Sequence, residues 1–406
     1  MQRFLLLIVL FVSSNVVAQN DVGHKLVKDK FLNYFELPRE SVFLHTNKTT
    51  YIVNEEVWLK GYVYNRHLQK PFHQTTTVHV GLFNAKGENF KNYHFKAKDG
   101  YFKGNIVVDS MLVSGEYYLR SSTNWMKNFK EDDSHIQKIT ILNEKPLKKE
   151  SAVRDYDIQF LPEGGNLIEG TPSTMGVKVT DGNGYGVRII EGSVFDDDNA
   201  QVARFYTSIF GLGKFNFIPK VGKNYIAKLE FSDGNVQTVT LQKPMKKGVA
   251  FGVKHIDDDR FIITLTTNET TKEITDNQQF YLLVHRDGHA NRIPLAFPKN
   301  SLFVSKVLNK EVLNKGMNIL TLFNSDGKPI AERLIFNYAD LFDAKLEVSK
   351  LALETDSLKI QVKLLDIDVV QQNLSVSVLP GNTISHNQKN SIYITFCKPT
   401  IKPTVL

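Results

Sequence analysis

A glycine followed by a short strand pattern recurs along this chain about every 100 residues, and this recurrence constrains the fold more than any other feature. Gly115, Gly222 and Gly316 each precede such a pattern, and they are 107 and 94 residues apart. A period of this length matches the roughly 100 residues of one β-sandwich. Solenoid repeats are shorter, at about 20–50 residues. The spacing therefore predicts tandem β-sandwich domains, each with its own core.

The segments around these glycines have an all-β texture. Short runs rich in β-branched and aromatic residues are separated by turns that contain Gly, Asn and Asp, and no long helical pattern is evident. In Ser41–Asn65, apolar residues alternate over Val42–Leu44, a polar turn covers Thr46–Thr50, and a second strand covers Val57–Tyr64. This pattern predicts an antiparallel hairpin that opens the first sandwich.

Polar or proline-containing links mark the predicted domain boundaries. We place β-sandwiches at residues 41–145, 146–245 and 246–340, and an incomplete fourth one at 341–406. Strands are expected in this last part at Lys345–Leu351, Leu358–Leu365 and Leu374–Leu379. The divergent tail after them predicts a truncated product or a fragment of a longer chain.

The first 40 residues contain a predicted export signal and a short lead into the first domain. Arg3, an apolar run over Phe4–Val12 and small residues ending at Ala18 follow the order of a secretory signal peptide at residues 1–18. No other stretch approaches the ~20 apolar residues of a transmembrane helix. A short lead at 19–40 has helix-like apolar spacing that ends before Pro38. We therefore predict export to the periplasm or the outer-membrane surface, with no transmembrane segment in the mature chain.

Composition narrows the classes of function. The single cysteine, Cys397, excludes an intrachain disulfide framework, so stability must come from buried cores. The net charge of +7 is spread along the chain, and no basic stripe with interleaved aromatic residues is present. We expect no nucleic-acid partner and no cofactor.

Three sequence motifs resemble the alpha-2-macroglobulin-like superfamily, in particular the exported forms of Bacteroidetes-type bacteria. The first motif is similar to the start of the second macroglobulin domain and is matched by His45, Lys48, Tyr51, Glu55, Trp58, Lys60 and Tyr62. The second, around Pro162, Glu163, Gly164 and Gly165, resembles the segment that opens the next domain. The third, Ala331–Phe336 with Glu332 and Arg333, resembles a strand that closes the domain after it.

The resemblance implies macroglobulin-like sandwiches and a place in the endopeptidase-inhibitor superfamily. Trapping members of that superfamily use an internal thioester between a Cys and a Gln, and this sequence lacks the corresponding motif. The leading hypothesis is thus a non-enzymatic scaffold of the cell envelope that binds a protein or envelope partner. Because the exported forms often carry a domain like a TonB-receptor plug, the alternative is the N-terminal part of a TonB-linked outer-membrane transport component.

Two motifs can be interpreted either as ligand-binding sites or as structural turns. His285, Asp287 and His289 lie within five residues and could bind a metal, but Asp287-Gly288 also suits the tip of a hairpin. Glu163-Gly164-Gly165 invites comparison with a phosphate-binding loop, although such a loop needs a following helix. For Glu55, we expect hydrogen bonds to backbone amides of its own turn. The metal alternative would make the chain a metal-dependent hydrolase, the least favoured hypothesis.

Overall fold

The computed structural model describes residues 27–144, 155–339 apart from 183, 258 and 277, and then 346–354, 357–365, 373–381 and 383. The predicted signal peptide, the link around Pro146 and the tail with Cys397 lie outside these residues. Strands dominate the described chain, and no helix within it is long and apolar enough to cross a membrane. The fold is all-β, as predicted.

Residues 40–144 form the first sandwich. Its strands are β1 (Glu40–Thr46), β2 (Thr50–Ile52), β3 (Glu56–Asn65), β4 (Lys70–Pro71), β5 (Thr77–Asn84), β6 (Asn89–Lys96), β7 (Tyr101–Val107), β8 (Gly115–Ser122) and β9 (His135–Leu142). One sheet has the order β1-β3-β4, with β7 also paired to β3, and the other has the order β2-β9-β8-β5-β6. Apolar side chains of both sheets form one buried cluster.

The alternation of β3 shows why this segment is a half-buried strand. Val57, Leu59 and Val63 are buried in the core, while Trp58, Lys60 and Tyr62 lie on the other face. The predicted hairpin is confirmed, because β1 pairs with β3 in an antiparallel ladder from Glu40–Asn65 to Thr46–Leu59.

Residues 155–241 form the second sandwich. Its strands are β10 (Tyr156–Pro162), β11 (Ser173–Asp181), β12 (Ile189–Asp196), β13 (Gln201–Phe205), β14 (Leu212–Phe217), β15 (Tyr225–Phe231) and β16 (Val236–Thr240). The sheets have the orders β10-β11-β14 and β13-β12-β15-β16. A cluster rich in aromatic side chains fills the space between them, with Phe205 and Phe215 stacked at a centroid distance of 5.2 Å.

Residues 249–337 form the third sandwich. Its strands are β17 (Ala250–His255), β18 (Arg260–Thr266), β19 (Gln279–Arg286), β20 (His289–Ala296), β21 (Phe303–Asn309), β22 (Gly316–Phe323) and β23 (Pro329–Asn337). The sheets have the orders β17-β18-β21 and β20-β19-β22-β23, and their inner faces share one apolar cluster. A short helix, Glu269–Thr275, connects β18 to β19.

A helix over residues 27–34, called α1 here, covers the outer face of the sheet β20-β19-β22-β23. Phe31 is fully buried and Phe35 nearly so, and Ala290 of β20 packs against the cluster that they form. The rings of Phe31 and His285 meet edge to face at 4.8 Å. Every residue of β19 from Phe280 to Arg286 is buried. Phe280, Leu282 and Val284 lie in the core between the two sheets, and α1 covers His285 on the opposite face, which would otherwise be wet.

The described chain separates into two compact units. One contains residues 27–39 and 155–337, and the other contains residues 40–144 and the described residues from 338 onward. In the latter, β24 (Leu346–Glu354) and β25 (Ser357–Leu364) form an antiparallel hairpin. The strand predicted at Leu374–Leu379 is wrong, because these described residues form no strand. Lys60 of β3 donates instead to the carbonyl oxygen of Leu374 at 2.6 Å, and Ser377 Oγ bonds the carbonyl of Asn47.

Candidate functional site

The first motif folds into a corner between β1 and β3. Lys48 Nζ lies 2.8 Å from both carboxylate oxygens of Glu55. Glu55 also accepts the backbone N–H of Ile52 at 2.8 Å, which confirms the expected bond to its own turn. Burial alone would raise the pKa of Glu55, but the bonds from Lys48 and Ile52 outweigh it and lower the pKa.

Tyr51 anchors this corner in the core. Its side chain is 1% exposed, and its hydroxyl lies 2.8 Å from Asn47 Oδ1 and 2.7 Å from the Lys48 carbonyl oxygen. The hydroxyl donates its single proton to one of these acceptors and accepts the Lys48 N–H at 3.2 Å. Burial raises the pKa of Tyr51 to about 12, so the phenol stays neutral. The buried ring and these hydrogen bonds attach the corner to the core of the first sandwich.

The remaining residues of the first motif lie on the outer face of the same sheet. His45 is opposite Lys60 in the β1–β3 ladder, and Trp58 is 56% exposed. Lys60 Nζ lies 5.7 Å above the ring centroid of Tyr62 and 5.5 Å from that of Tyr101, within the range of cation–π attraction. These side chains form an aromatic surface with a cation at its centre.

The second and third motifs meet, although they are far apart in the chain. Glu163 Oε1 lies 3.1 Å from Arg333 Nη1 and accepts the Val253 N–H at 2.8 Å. Next to this pair, Asn166 Nδ2 donates to the Ile330 carbonyl oxygen at 2.6 Å. We call Glu163, Gly164, Asn166 and Arg333 the joint, because they connect the second sandwich to the third.

Gly164 permits the close approach of the two backbones at the joint. Its φ is 78°, in the left-handed region, and a Cβ at this position would lie 2.7 Å from the carbonyl oxygen of Phe251. Gly165 has a φ of 87° but open space around it. Asn166, the next residue, is extended, so no helix N-terminus follows these glycines. The loop therefore lacks the amide cluster of a phosphate site, and its glycines serve a sharp turn at a domain contact.

The predicted metal candidates separate into different environments. Asp287-Gly288 is the two-residue tip between β19 and β20, with φ values of 45° and 88° that suit a type I′ turn. Asp287 is buried and bonds Arg286 Nε at 3.1 Å, His285 is buried beneath α1, and His289 is exposed. Within the part of the chain that the structure describes, no three His, Cys, Asp or Glu side chains group as metal ligands.

His285 belongs to a buried polar chain that the sequence did not reveal. Its Nε2 lies 2.9 Å from Thr321 Oγ1, which in turn is 3.1 Å from Glu332 Oε2. Burial lowers the pKa of His285 to about 4, with Asp287 acting in the opposite direction. Burial raises the pKa of Glu332, partly offset by the bond from Thr321. Glu332 and Arg333 therefore act on opposite faces of β23, one toward α1 and one toward the joint.

A groove on the first sandwich was also missed. It has a volume of about 640 Å³ and lies between the outer faces of β5, β6 and β8 and the loop at 123–134. His79 and His94 line it, and so does Asp132, which is bonded to Arg120 at 2.9 Å. The single histidines stand 15 residues apart in the sequence, so only the register of β5 and β6 brings them together.

Neither a family model nor a curated protein sequence matches this chain. Among solved structures, trypsin-activated alpha-2-macroglobulin from Escherichia coli is similar at 11% identity and a TM-score of 0.24, over 77% of this chain and 25% of that one. Dimeric latent PorU from Porphyromonas gingivalis is similar at 13% identity and a TM-score of 0.30, over 74% and 33%. Salmonella alpha-2-macroglobulin reacted with methylamine is similar at 11% identity and a TM-score of 0.22, over 80% and 25%.

These likenesses are coarse. The chain spans a quarter to a third of the length of these three structures. TM-scores of 0.30 or lower mean that the whole chains do not superpose closely, so the macroglobulin resemblance rests on the three sequence motifs. The structure itself defines the class as a chain of tandem β-sandwich domains.

Proposed function

We propose that this chain is a non-catalytic, macroglobulin-like scaffold of the cell envelope, which binds a protein partner through the surfaces of its sandwiches. The signal-peptide pattern at residues 1–18 supports export to the periplasm or the outer-membrane surface. The observation that carries the proposal is the joint. Two of the three motifs are used to fix one sandwich against the next, and neither encloses a reacting group.

The chemistry of the joint suits a fixed domain contact. The Glu163 side chain is 14% exposed and the Arg333 side chain 36%, so their ion pair is partly shielded from water. Glu163 also satisfies the Val253 N–H, an amide that would otherwise lose its acceptor at the contact. Such a contact limits rotation between the two sandwiches and keeps their loops in constant relative positions, as a binding scaffold requires.

Inhibition of a peptidase by the residues of this sequence fits the proposal in a non-covalent form. Covalent trapping needs a thioester motif, and the sequence contains one cysteine outside such a motif. A TonB-linked transport component is the alternative that the resemblance raises. It predicts co-purification with an outer-membrane β-barrel rather than with a soluble envelope protein.

Capture from an envelope extract by the immobilised full chain tests the proposal. We expect a stoichiometric partner that cross-links to the second and third sandwiches. The double variant Glu163→Ala/Arg333→Ala should release it, whereas Lys48→Gln/Glu55→Gln, which removes the ion pair of the first sandwich, should retain it. Retention by the first double variant would show that the joint has no role in binding.

Activity assays complete the test. The full chain should form no covalent adduct with a protease. It should also turn over none of a panel of peptide and ester substrates. Stoichiometric inhibition of a protease that survives Cys397→Ala would assign the scaffold a non-covalent inhibitor role. Substrate turnover that persists after repurification would refute the non-catalytic proposal.

A further inference from the structure

The groove of the first sandwich contains a pair of histidines that neither the motifs nor the proposed function uses. His79 on β5 and His94 on β6 are directly opposite each other in the antiparallel ladder. Both side chains point away from the core, because Val78 and Val80 on either side of His79 are fully buried. Directly opposed residues of a ladder have Cβ atoms about 4.5–5.5 Å apart, so two imidazoles here can reach one ligand.

The arrangement of the rings fits one shared metal ion. Their centroids are 4.7 Å apart, at an interplanar angle of 82°. An imidazole nitrogen about 2.1 Å from a metal puts its ring centroid about 3.2 Å from that metal, so two ligand rings at ~90–109° have centroids about 4.5–5.2 Å apart. The observed separation falls within this interval.

One ring nitrogen of His79 is left without a partner inside the groove. Its Nε2 is buried and has no hydrogen-bond partner in the described structure. A buried imidazole nitrogen without a partner is costly, and a ligand that takes its lone pair would remove that cost.

The groove also provides access from solvent and oxygen atoms that could complete the coordination of an ion. His94 is exposed, so an ion can arrive from solvent. Ser122, which is opposite His79 on β8, and Asn92 line the same groove and present oxygen atoms, with room for bound water. Two nitrogen ligands with oxygen or water at the other positions suit Cu²⁺, Zn²⁺ or Ni²⁺ better than Mg²⁺ or Ca²⁺.

From this geometry, we infer that His79 and His94 form the nitrogen half of an exchangeable site for a divalent first-row transition metal. The ion binds through one nitrogen of each ring and keeps water at its open positions. This inference does not depend on the proposed scaffold function, because it concerns the first sandwich alone.

Copper and zinc titrations of the full chain, with any affinity tag removed, test the site. We expect one equivalent of Cu²⁺ whose electron paramagnetic resonance spectrum shows two nitrogen ligands. His79→Gln or His94→Gln should leave one nitrogen ligand and weaken the affinity at least ~10-fold. His73→Gln is the matched control, since His73 is an exposed histidine of the same sandwich beside Asp99, and it should bind as the wild type does.

Stability supplies a second measurement. Both tryptophans of the chain, Trp58 and Trp125, lie in the first sandwich, so tryptophan fluorescence follows the unfolding of this sandwich. Zn²⁺ should raise its urea midpoint, because an ion that binds only the folded state stabilises it. His94→Gln should abolish the shift while keeping the metal-free midpoint. Metal binding or stabilisation that is equal in wild type, His79→Gln and His94→Gln would overturn the inference.

Discussion

The corner at Lys48–Glu55 and the joint at Glu163–Arg333 both contain a cation–carboxylate pair, but they stabilise different things. In the corner, the paired residues are seven positions apart and fasten one turn of one sandwich. At the joint, Asn166 and Ile330 are 164 positions apart and the contact connects two sandwiches. Both pairs belong to motifs that resemble the same superfamily. The difference shows that the same side-chain chemistry stabilises a local turn in one case and fixes two domains against each other in the other.

The two regions can be followed separately. Tryptophan fluorescence reports the first sandwich, which contains the corner. Hydrogen exchange of β17 and β23 reports the third sandwich, which contains Arg333. A change confined to one of the two signals therefore tells which region a substitution has affected.

Gly164→Ala should have the largest effect and should separate the joint from the corner. The new Cβ would lie 2.7 Å from the Phe251 carbonyl oxygen and force a left-handed backbone on alanine. We expect a loss of about 3 kcal/mol in the stability of the second and third sandwiches, measured by hydrogen exchange in urea. Tryptophan fluorescence should not change.

Gly165→Ala is the matched control for that substitution. It has a similar φ but no atom within 4 Å of the new Cβ, so only the backbone strain of about 1 kcal/mol applies. Equal losses for the two alanine variants would mean that the approach to Phe251 contributes nothing.

Acid should weaken the packing of α1 on the third sandwich, while the corner of the first sandwich stays intact. The pKa of His285 is about 4 in the folded chain against 6.5 for an ordinary histidine, so its contribution is present above pH 6.5 and is lost as the pH falls toward 4. At pH 5 we expect a loss of about 2 kcal/mol, seen as faster exchange in residues 27–35 after correction for intrinsic rates.

Glu332 acts in the opposite sense. Its raised pKa means that folding opposes its ionisation, so its unfavourable contribution diminishes as the pH falls through the titration of its carboxyl group. His285→Gln should flatten the dependence between pH 7 and pH 5, and Glu332→Gln should steepen the loss of stability as the pH falls toward 4.5. The same dependence in wild type and His285→Gln would exclude His285 as the cause.

Breaking the ion pair of the joint should cost less than crowding its glycine. A double-mutant cycle with Glu163→Gln and Arg333→Gln should give a coupling of about 1–2 kcal/mol in the stability of the third sandwich. Glutamine at 163 keeps an acceptor for the Val253 N–H, so the cycle isolates the charge pair. Coupling near zero would assign the joint to backbone packing alone.

Tyr51→Phe should have the smallest effect and should appear only in the tryptophan signal. The phenylalanine retains the buried ring but loses the bonds to Asn47 or Lys48, at a cost of about 1 kcal/mol. Tyr118→Phe, on β8 of the same sandwich, is the control and should change the midpoint by less. A shift of equal size in the third sandwich would show that the two regions are coupled after all.

The sequence predicted the local features well, for reasons visible in particular residues. The alternation in Glu56–Asn65 requires a half-buried strand, and Glu55 lies within reach of the backbone amides of the turn before it. The strand at Leu374–Leu379 was predicted from the same kind of alternation and is wrong, because alternation states which face is apolar but not whether a ladder partner exists.

By itself, the sequence determined that the chain is all-β, that its domains recur about every 100 residues, and that Glu55 bonds its own turn. Only the tertiary structure decided that Glu163 meets Arg333, that α1 covers His285, and that His79 faces His94. The physical reason is the range of the interactions. Periodicity and turn chemistry act between neighbours in the chain, whereas strand register and domain packing join residues whose separation no local pattern records.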